Sequence, residues 1–169
     1  MTPDEQRDFL SKEHAEAMRY MSNAEETLTK AGRDGRHYID AKYVQTACGI
    51  AHLAILRALD AWFELKGFPK PSKKQRKSID YYTYRAAKVD GKVLTTLQEA
   101  YNLLHLSGYY DGTKSVKVIK EGFDDAYEII DKIKPDNPID TPETRGDKAM
   151  RIWNRFVISL TVMFMRKPY

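Results

Sequence analysis

The chain has 169 residues, of which 42% are hydrophobic and 31% are charged, with a formal net charge of +4. This length suits a single domain over residues 1–169, and the composition excludes an intrinsically disordered chain. Cys48, the one cysteine, excludes an intrachain disulfide and a cysteine-based zinc site. The acidic N-terminus and the lack of a long apolar run predict a cytoplasmic protein without a membrane segment.

The first predicted helix begins at the N-terminus. Thr2 suits its cap, Pro3 its first position, and Glu5 stands where a capping box requires an acid. Apolar side chains then recur at helical spacing: Leu10, Ala17, Met21, Ala24, Leu28 and Ala31. We expect Gly32 and Gly35 to end this helix.

The second predicted helix covers residues 39–66, with Gly67 as its C-terminal cap and Pro69 just beyond. Apolar residues occupy most of its circumference, so we expect it to be the central helix of the fold. A narrower polar stripe, which includes His52, Arg57, Asp60 and Glu64, is expected to face water; the alternative is an internal polar network.

The rest of the chain continues the helical pattern. A linker over 68–77 leads to helical pieces over 78–88 and 89–107, with a break near Gly91. A turn over 108–112 precedes a helix over 113–133, and the last helix covers 144–166. About five helices joined by short loops predict an all-α, antiparallel bundle.

The sequence contains few residue patterns that are typical of catalysis. No glutamate has a histidine three residues later, as bundle metal sites require, and no glycine-rich phosphate loop occurs. Four histidines are spread over separate elements: His14, His37, His52 and His105. We therefore expect no catalytic residue, no metal and no cofactor.

A basic segment follows the second helix. Its cations and tyrosines are Lys73, Lys74, Arg76, Lys77, Tyr81, Tyr82 and Arg85. Cations attract phosphates and tyrosines stack on unpaired bases, so this combination is typical of a site for single-stranded nucleic acid. The alternative is a solvated loop followed by a helix whose tyrosines pack with their hydroxyls at the surface.

Two tyrosines, Tyr109 and Tyr110, lie between Gly108 and Gly112. They suit the mouth of a pocket at one end of the bundle. The alternative is a structural turn that aromatic packing anchors.

Two segments resemble HEPN domains (higher eukaryotes and prokaryotes nucleotide-binding). The helix over 41–67 reads AKYVQTACGIAHLAILRALDAWFELKG and resembles the second HEPN helix. The segment over 99–112 reads EAYNLLHLSGYYDG and is similar to an uncharacterised bacterial family of small HEPN-like proteins. This resemblance implies a helical bundle and, in the catalytic members, an RNase with an arginine followed after four to six residues by a histidine. Arg7 and His14 have that spacing but lie in the first helix, and Arg33 and His37 are one residue too close.

The sequence thus predicts a non-catalytic, HEPN-like binding or interaction module. An uncovered apolar stripe on the last or first helix would make it a homodimer, and its other partner would be a protein or RNA. The alternatives are RNA binding through residues 73–85, a metal-independent RNase using Arg7 and His14, and a ligand-binding bundle with Tyr109 and Tyr110 at its pocket.

Overall fold

A computed structural model describes residues 1–72 and 76–136. Within these ranges the elements are α1 (Pro3–Thr29), β1 (Arg33–Asp34), β2 (His37–Tyr38), α2 (Ala41–Leu65), α3 (Ile79–Val89), α4 (Gly91–Ala100), a π-helix (Tyr101–Tyr110), α5 (Val116–Ile130) and a 3₁₀ turn (Asp131–Ile133). The predicted all-α bundle is confirmed. The predicted helix over 144–166 lies outside the described residues. No helix within the described ranges is long and apolar enough to cross a bilayer.

The two longest helices, α1 and α2, pack against each other. The predicted capping box starts α1: the Glu5 amide donates to the Thr2 hydroxyl at 3.2 Å, and the Thr2 amide donates to the Glu5 carboxylate at 2.6 Å. An ion pair of 3.0 Å between Arg57 and Glu13 joins the end of α2 to the start of α1, so the helices run antiparallel. Because α2 also contacts α3, α5 and the π-helix, it is the central helix, as predicted.

A small β-hairpin between α1 and α2 has no counterpart in the sequence prediction. Gly32 and Gly35 do follow the end of α1, with φ of 62° and 56°, and Gly35 lies in the hairpin turn. The hairpin is also tied to the start of α5, because the Tyr38 amide donates to the Lys114 carbonyl at 2.8 Å. Strands of two residues have no apolar periodicity, so the sequence pattern could not indicate them.

The segment after α3 differs from the prediction in two ways. The break falls at Asp90, whose carboxylate accepts hydrogen bonds from the amides of Lys92 and Val93 and so caps α4. The predicted turn over 108–112 is wrong in its first part, since the π-helix continues to Tyr110. Its register is visible where the Asp111 amide donates to the Leu106 carbonyl, five residues earlier, at 2.9 Å.

Candidate functional site

The π-helix lies very close to α2, and glycines make this possible. A Cβ atom on Gly108 would lie 2.5 Å from the Cys48 sulfur, and one on Gly49 would lie 3.2 Å from the Tyr109 ring. Position 108 therefore has no room for a side chain. On the other side of the π-helix, a Cβ on Gly122 of α5 would lie 2.7 Å from the side chain of Leu104.

Every fourth side chain of the π-helix joins a stack of rings beside α2. The rings of Tyr101 and His105 stack with their centroids 4.9 Å apart, and those of His105 and Tyr109 stack at 5.7 Å. His52 of α2 completes the group, with its ring 4.9 Å from that of His105 and 5.8 Å from that of Tyr101. We call these four residues the aromatic seam. π-Helical turns are rare and are frequent at functional sites, which makes the seam a candidate site.

His52 is the buried member of the seam. Its side chain is 8% exposed, and its Nδ1 has no hydrogen-bond partner in the part of the chain that the structure describes. Burial, together with the neighbouring His105, lowers the pKa of His52 to about 4. The imidazole is therefore neutral at pH 7. The expectation that His52 faces water is wrong, because the π-helix covers it.

Four large apolar side chains that belong to the seam or follow one of its members in the sequence are between 40% and 75% exposed: Leu53, Leu106, Tyr109 and Tyr110. We call these four residues the seam surface. The two tyrosines also line an open depression of about 440 Å³ together with Lys42, Gln45 and Thr46, next to the seam. That this depression binds a ligand stays a prediction.

The sequence pattern does not indicate that His52, Tyr101 and His105 form a group. One signal is present: Tyr101, His105 and Tyr109 stand four residues apart. In an α-helix that spacing also describes ordinary neighbours, so it does not by itself indicate a stack.

The basic segment is only partly available to a ligand. The Lys77 ammonium pairs with the Asp60 carboxylate at 2.6 Å. Tyr82 is 2% exposed and packs near Phe63, so a nucleic-acid base cannot stack on it, contrary to the expectation for this tyrosine. Arg76 is exposed, whereas Lys73 and Lys74 lie outside the described residues.

Tyr81 and Arg85 are held together instead of being free. The Arg85 guanidinium lies over the Tyr81 ring at 3.7 Å from its centroid, and over the Phe68 ring at 5.4 Å. Its Nη2 donates to the Pro69 carbonyl at 3.1 Å. Arg85 therefore connects α3 to the loop that follows α2.

The arginine and histidine pairs of the RNase alternative are not arranged as a reactive group. Arg7 is exposed on α1, whereas the Nε2 of His14 is buried without a hydrogen-bond partner among the described residues. Burial lowers the pKa of His14, and Lys134 lowers it further. Arg33 and His37 lie on the exposed hairpin, where they pair with Tyr38 and Asp34 respectively.

The side chains of Cys48 and Asp125 are affected by burial. Cys48 is fully buried, and burial raises the pKa of its thiol to about 12, so it is not a nucleophile at neutral pH. Burial and the nearby Glu99 raise the pKa of Asp125 to about 6. Within residues 1–72 and 76–136, no group of three histidines, cysteines or carboxylates is arranged to hold a metal ion.

Comparison with known proteins identifies the family of this chain. The family model for a domain of unknown function, DUF5618, matches residues 12–135. The chain belongs to the DUF5618 family. The match extends from α1 past the 3₁₀ turn, so the aromatic seam and Arg85 both belong to the DUF5618 domain.

A solved structure shares this DUF5618 fold. It is a protein of unknown function from Dyadobacter fermentans, 35% identical, with a TM-score of 0.65 over 74% of this chain and 95% of that chain. No curated protein matches. Neither the family nor the solved structure shows a relationship to HEPN domains.

Proposed function

We propose that this DUF5618 protein is a non-catalytic interaction module that pairs with a second copy of itself through the seam surface. The observation that carries the proposal is the exposure of Leu53, Leu106, Tyr109 and Tyr110, at 52%, 40%, 46% and 75%. Exposed apolar residues are ordinary when scattered singly, whereas a group of them is typical of an interface.

The packing of the seam supports a single surface. Leu53 stands one helical turn beyond Gly49, against which the Tyr109 ring packs. Leu106 and Tyr110 directly follow the two stacked residues His105 and Tyr109 on the π-helix. Three of the exposed side chains therefore adjoin members of the row of rings, to which Tyr109 itself belongs, on two neighbouring helices.

The chemistry of this surface favours a second copy. In a two-fold dimer the same patch meets itself, so any charge on it lies near a like charge. None of the four side chains carries a charge, and apolar contact has no preferred direction. The stacking of Tyr109 on His105 also holds its ring in place before association, which reduces the loss of side-chain entropy on binding.

Sedimentation equilibrium of the full-length protein tests the proposal. We expect the wild type to dimerise and the double variant Leu106→Glu, Tyr110→Glu to dimerise about 100-fold more weakly, because it places like charges opposite each other in the interface. Tyr84→Glu is the matched control, since Tyr84 is 62% exposed but lies on α3. A wild type that stays monomeric at high concentration would overturn the proposal, as would a Tyr84→Glu variant that dissociates equally.

We also propose that the protein is related to HEPN domains, and the helical bundle supports this proposal. Such a relationship would imply RNA as a further partner. The RNase alternative has less support, because general-base catalysis needs a histidine nitrogen that reaches the ribose hydroxyl. The Nε2 of His14 is buried instead.

A further inference from the structure

We propose that a cavity beside Arg85 is a binding site for a phosphate group. The site lies on the loop after α2 and the start of α3, and it shares no residue with the seam surface. The proposal does not depend on dimerisation, so either one can fail without the other.

Arg85 is a buried charge without a negative partner among the described residues. Its side chain is 8% exposed, and no carboxylate of the described residues pairs with it. Nη2 donates to the Pro69 carbonyl, but Nη1 is buried with no hydrogen-bond partner in the same part of the chain. Removing a guanidinium from water is unfavourable unless an anion or several acceptors replace the water. The stacked rings of Phe68 and Tyr81 offset part of this cost and supply no acceptor for Nη1.

The cavity that Arg85 lines is positively charged. Its volume is about 470 Å³. Two further cations, Arg76 and Lys88, and one carboxylate, Asp80, line it as well. An excess of positive charge in a partly enclosed cavity attracts an anion of more than one charge. A phosphate monoester fits this requirement better than a single carboxylate, and guanidinium groups bind phosphate oxygens in pairs.

The start of α3 adds donors on the same side. Ser78, the N-cap residue, lines the cavity, and its side chain makes no capping hydrogen bond. The hydroxyl is therefore available to a ligand. The N-terminus of this helix of 11 residues also carries the positive end of the helix dipole. Ser78 and Arg85 thus supply a neutral and a charged donor to one cavity.

The cations of a neighbouring depression differ from Arg85 because carboxylates of the chain pair with them. Asp60, Glu64, Lys70 and Lys77 line that depression, which shares Phe68, Pro69 and Tyr81 with the Arg85 cavity. There Lys70 pairs with Glu64 at 3.0 Å and Lys77 with Asp60 at 2.6 Å. The chain supplies its own counter-ions on that side, whereas it supplies none to Arg85 in the described ranges. This difference locates the phosphate site at Arg85.

Phosphorus NMR of the full-length protein titrated into inorganic phosphate, at constant ionic strength, tests the proposal. We expect a saturable shift of the phosphate signal for the wild type and affinity about tenfold lower for Arg85→Lys, because lysine cannot bind two phosphate oxygens in a fork. Adenosine 5′-monophosphate in a parallel titration distinguishes two sources. Equal affinity indicates recognition of the phosphate group alone, and higher affinity indicates a nucleotide.

Two further variants keep this test decisive. Lys88→Gln alters an exposed side chain and should weaken phosphate binding several-fold without disturbing the core, even where Arg85→Lys fails to fold. Arg36→Gln removes one exposed cation from the hairpin and should bind as the wild type does. The absence of a saturable shift would overturn the proposal. So would equal weakening by Arg36→Gln and Lys88→Gln, or competition by acetate at the same concentration as phosphate.

Discussion

The central helix α2 has two kinds of neighbour, and they are packed by different means. Towards α1, the contact is made by a helix whose buried residues are all apolar, and Met21 among them is fully buried. Towards the π-helix, position 108 has no side chain, so the backbone there approaches Cys48 closely. The rings of Tyr101 and His105 stack on the same π-helix. The first interface depends on filled volume, whereas the second depends on the absence of one carbon atom.

This difference predicts opposite sensitivities. An interface of filled volume is weakened when a side chain is shortened, because a cavity remains. An interface of close backbone approach is weakened when a side chain is lengthened, because no space exists for it. The two interfaces of α2 can therefore be distinguished by substitutions in opposite directions.

The largest effect is expected at the α1 interface. Met21→Ala should lower the free energy of unfolding by about 4 kcal/mol, because Met21 is fully buried and its loss leaves a cavity. Met18→Ala, one turn earlier on the same helix, is the control. Met18 is half-buried, so we expect a loss of roughly 1 kcal/mol. Urea denaturation measures both, and equal losses would contradict the assignment of Met21 to the core.

A somewhat smaller effect is expected where the π-helix meets α2. Gly108→Ala should lower the free energy of unfolding by about 3 kcal/mol, since its Cβ would lie 2.5 Å from the Cys48 sulfur and 2.9 Å from the Cys48 Cβ. Gly91→Ala is the control, because nothing lies within 4 Å of its Cβ position and its φ is not positive. That variant should be neutral or slightly stabilising. A tolerated Gly108→Ala would show that the two helices are not in close contact.

The smallest of the three effects concerns acid and the seam. The pKa of His52 is about 4 in the folded chain against 6.5 for an ordinary histidine. As pH falls, the unfolded chain binds this proton before the folded chain does. The free energy of unfolding therefore decreases between pH 6.5 and about pH 4, and His52 makes its full contribution to stability above that range. We expect a loss of about 2 kcal/mol, below the full value of the shift because the seam borders solvent.

A variant isolates the contribution of His52 from the other titrating groups. His14 changes stability in the same direction, whereas Asp125, with its raised pKa, changes it in the opposite direction. The difference between the wild type and His52→Gln, in denaturation midpoints measured from pH 7 to pH 4, removes both of these contributions. Parallel profiles for wild type and His52→Gln would mean that His52 is not buried in neutral form.

The sequence predicts the aliphatic part of the molecule well. The predicted helix over 39–66 is Ala41–Leu65 in the structure, and that over 78–88 is Ile79–Val89. The capping box of Thr2 and Glu5 is present as predicted. These features rest on helical periodicity and on contacts between residues close in sequence, which a single chain displays directly.

The candidate sites are less visible in the sequence. A periodicity of 3.6 residues does not detect a π-helix, so the segment after Tyr101 was predicted to be an α-helix and a turn. His52 looked like part of a solvated stripe because its partner His105 is distant in sequence. In the same way, the burial of Arg85 with no carboxylate partner among the described residues is a property of the packed chain. Many cations and tyrosines near position 80 predict a basic surface but do not indicate that Arg85 is the buried one.

Because of the π-helix, the packing of this segment against α2 depends on how many residues it contains as well as on which residues they are. Each hydrogen bond of the π-helix closes a loop one residue longer than in an α-helix, because the bond reaches five residues back instead of four. Deleting one residue between Tyr101 and Gly108 would allow an ordinary α-helix, and each later side chain would then rotate by about 100° relative to α2. Gly108 would leave Cys48. A family member one residue shorter in this segment would therefore lose the close approach of this helix to α2 even if every remaining residue were identical.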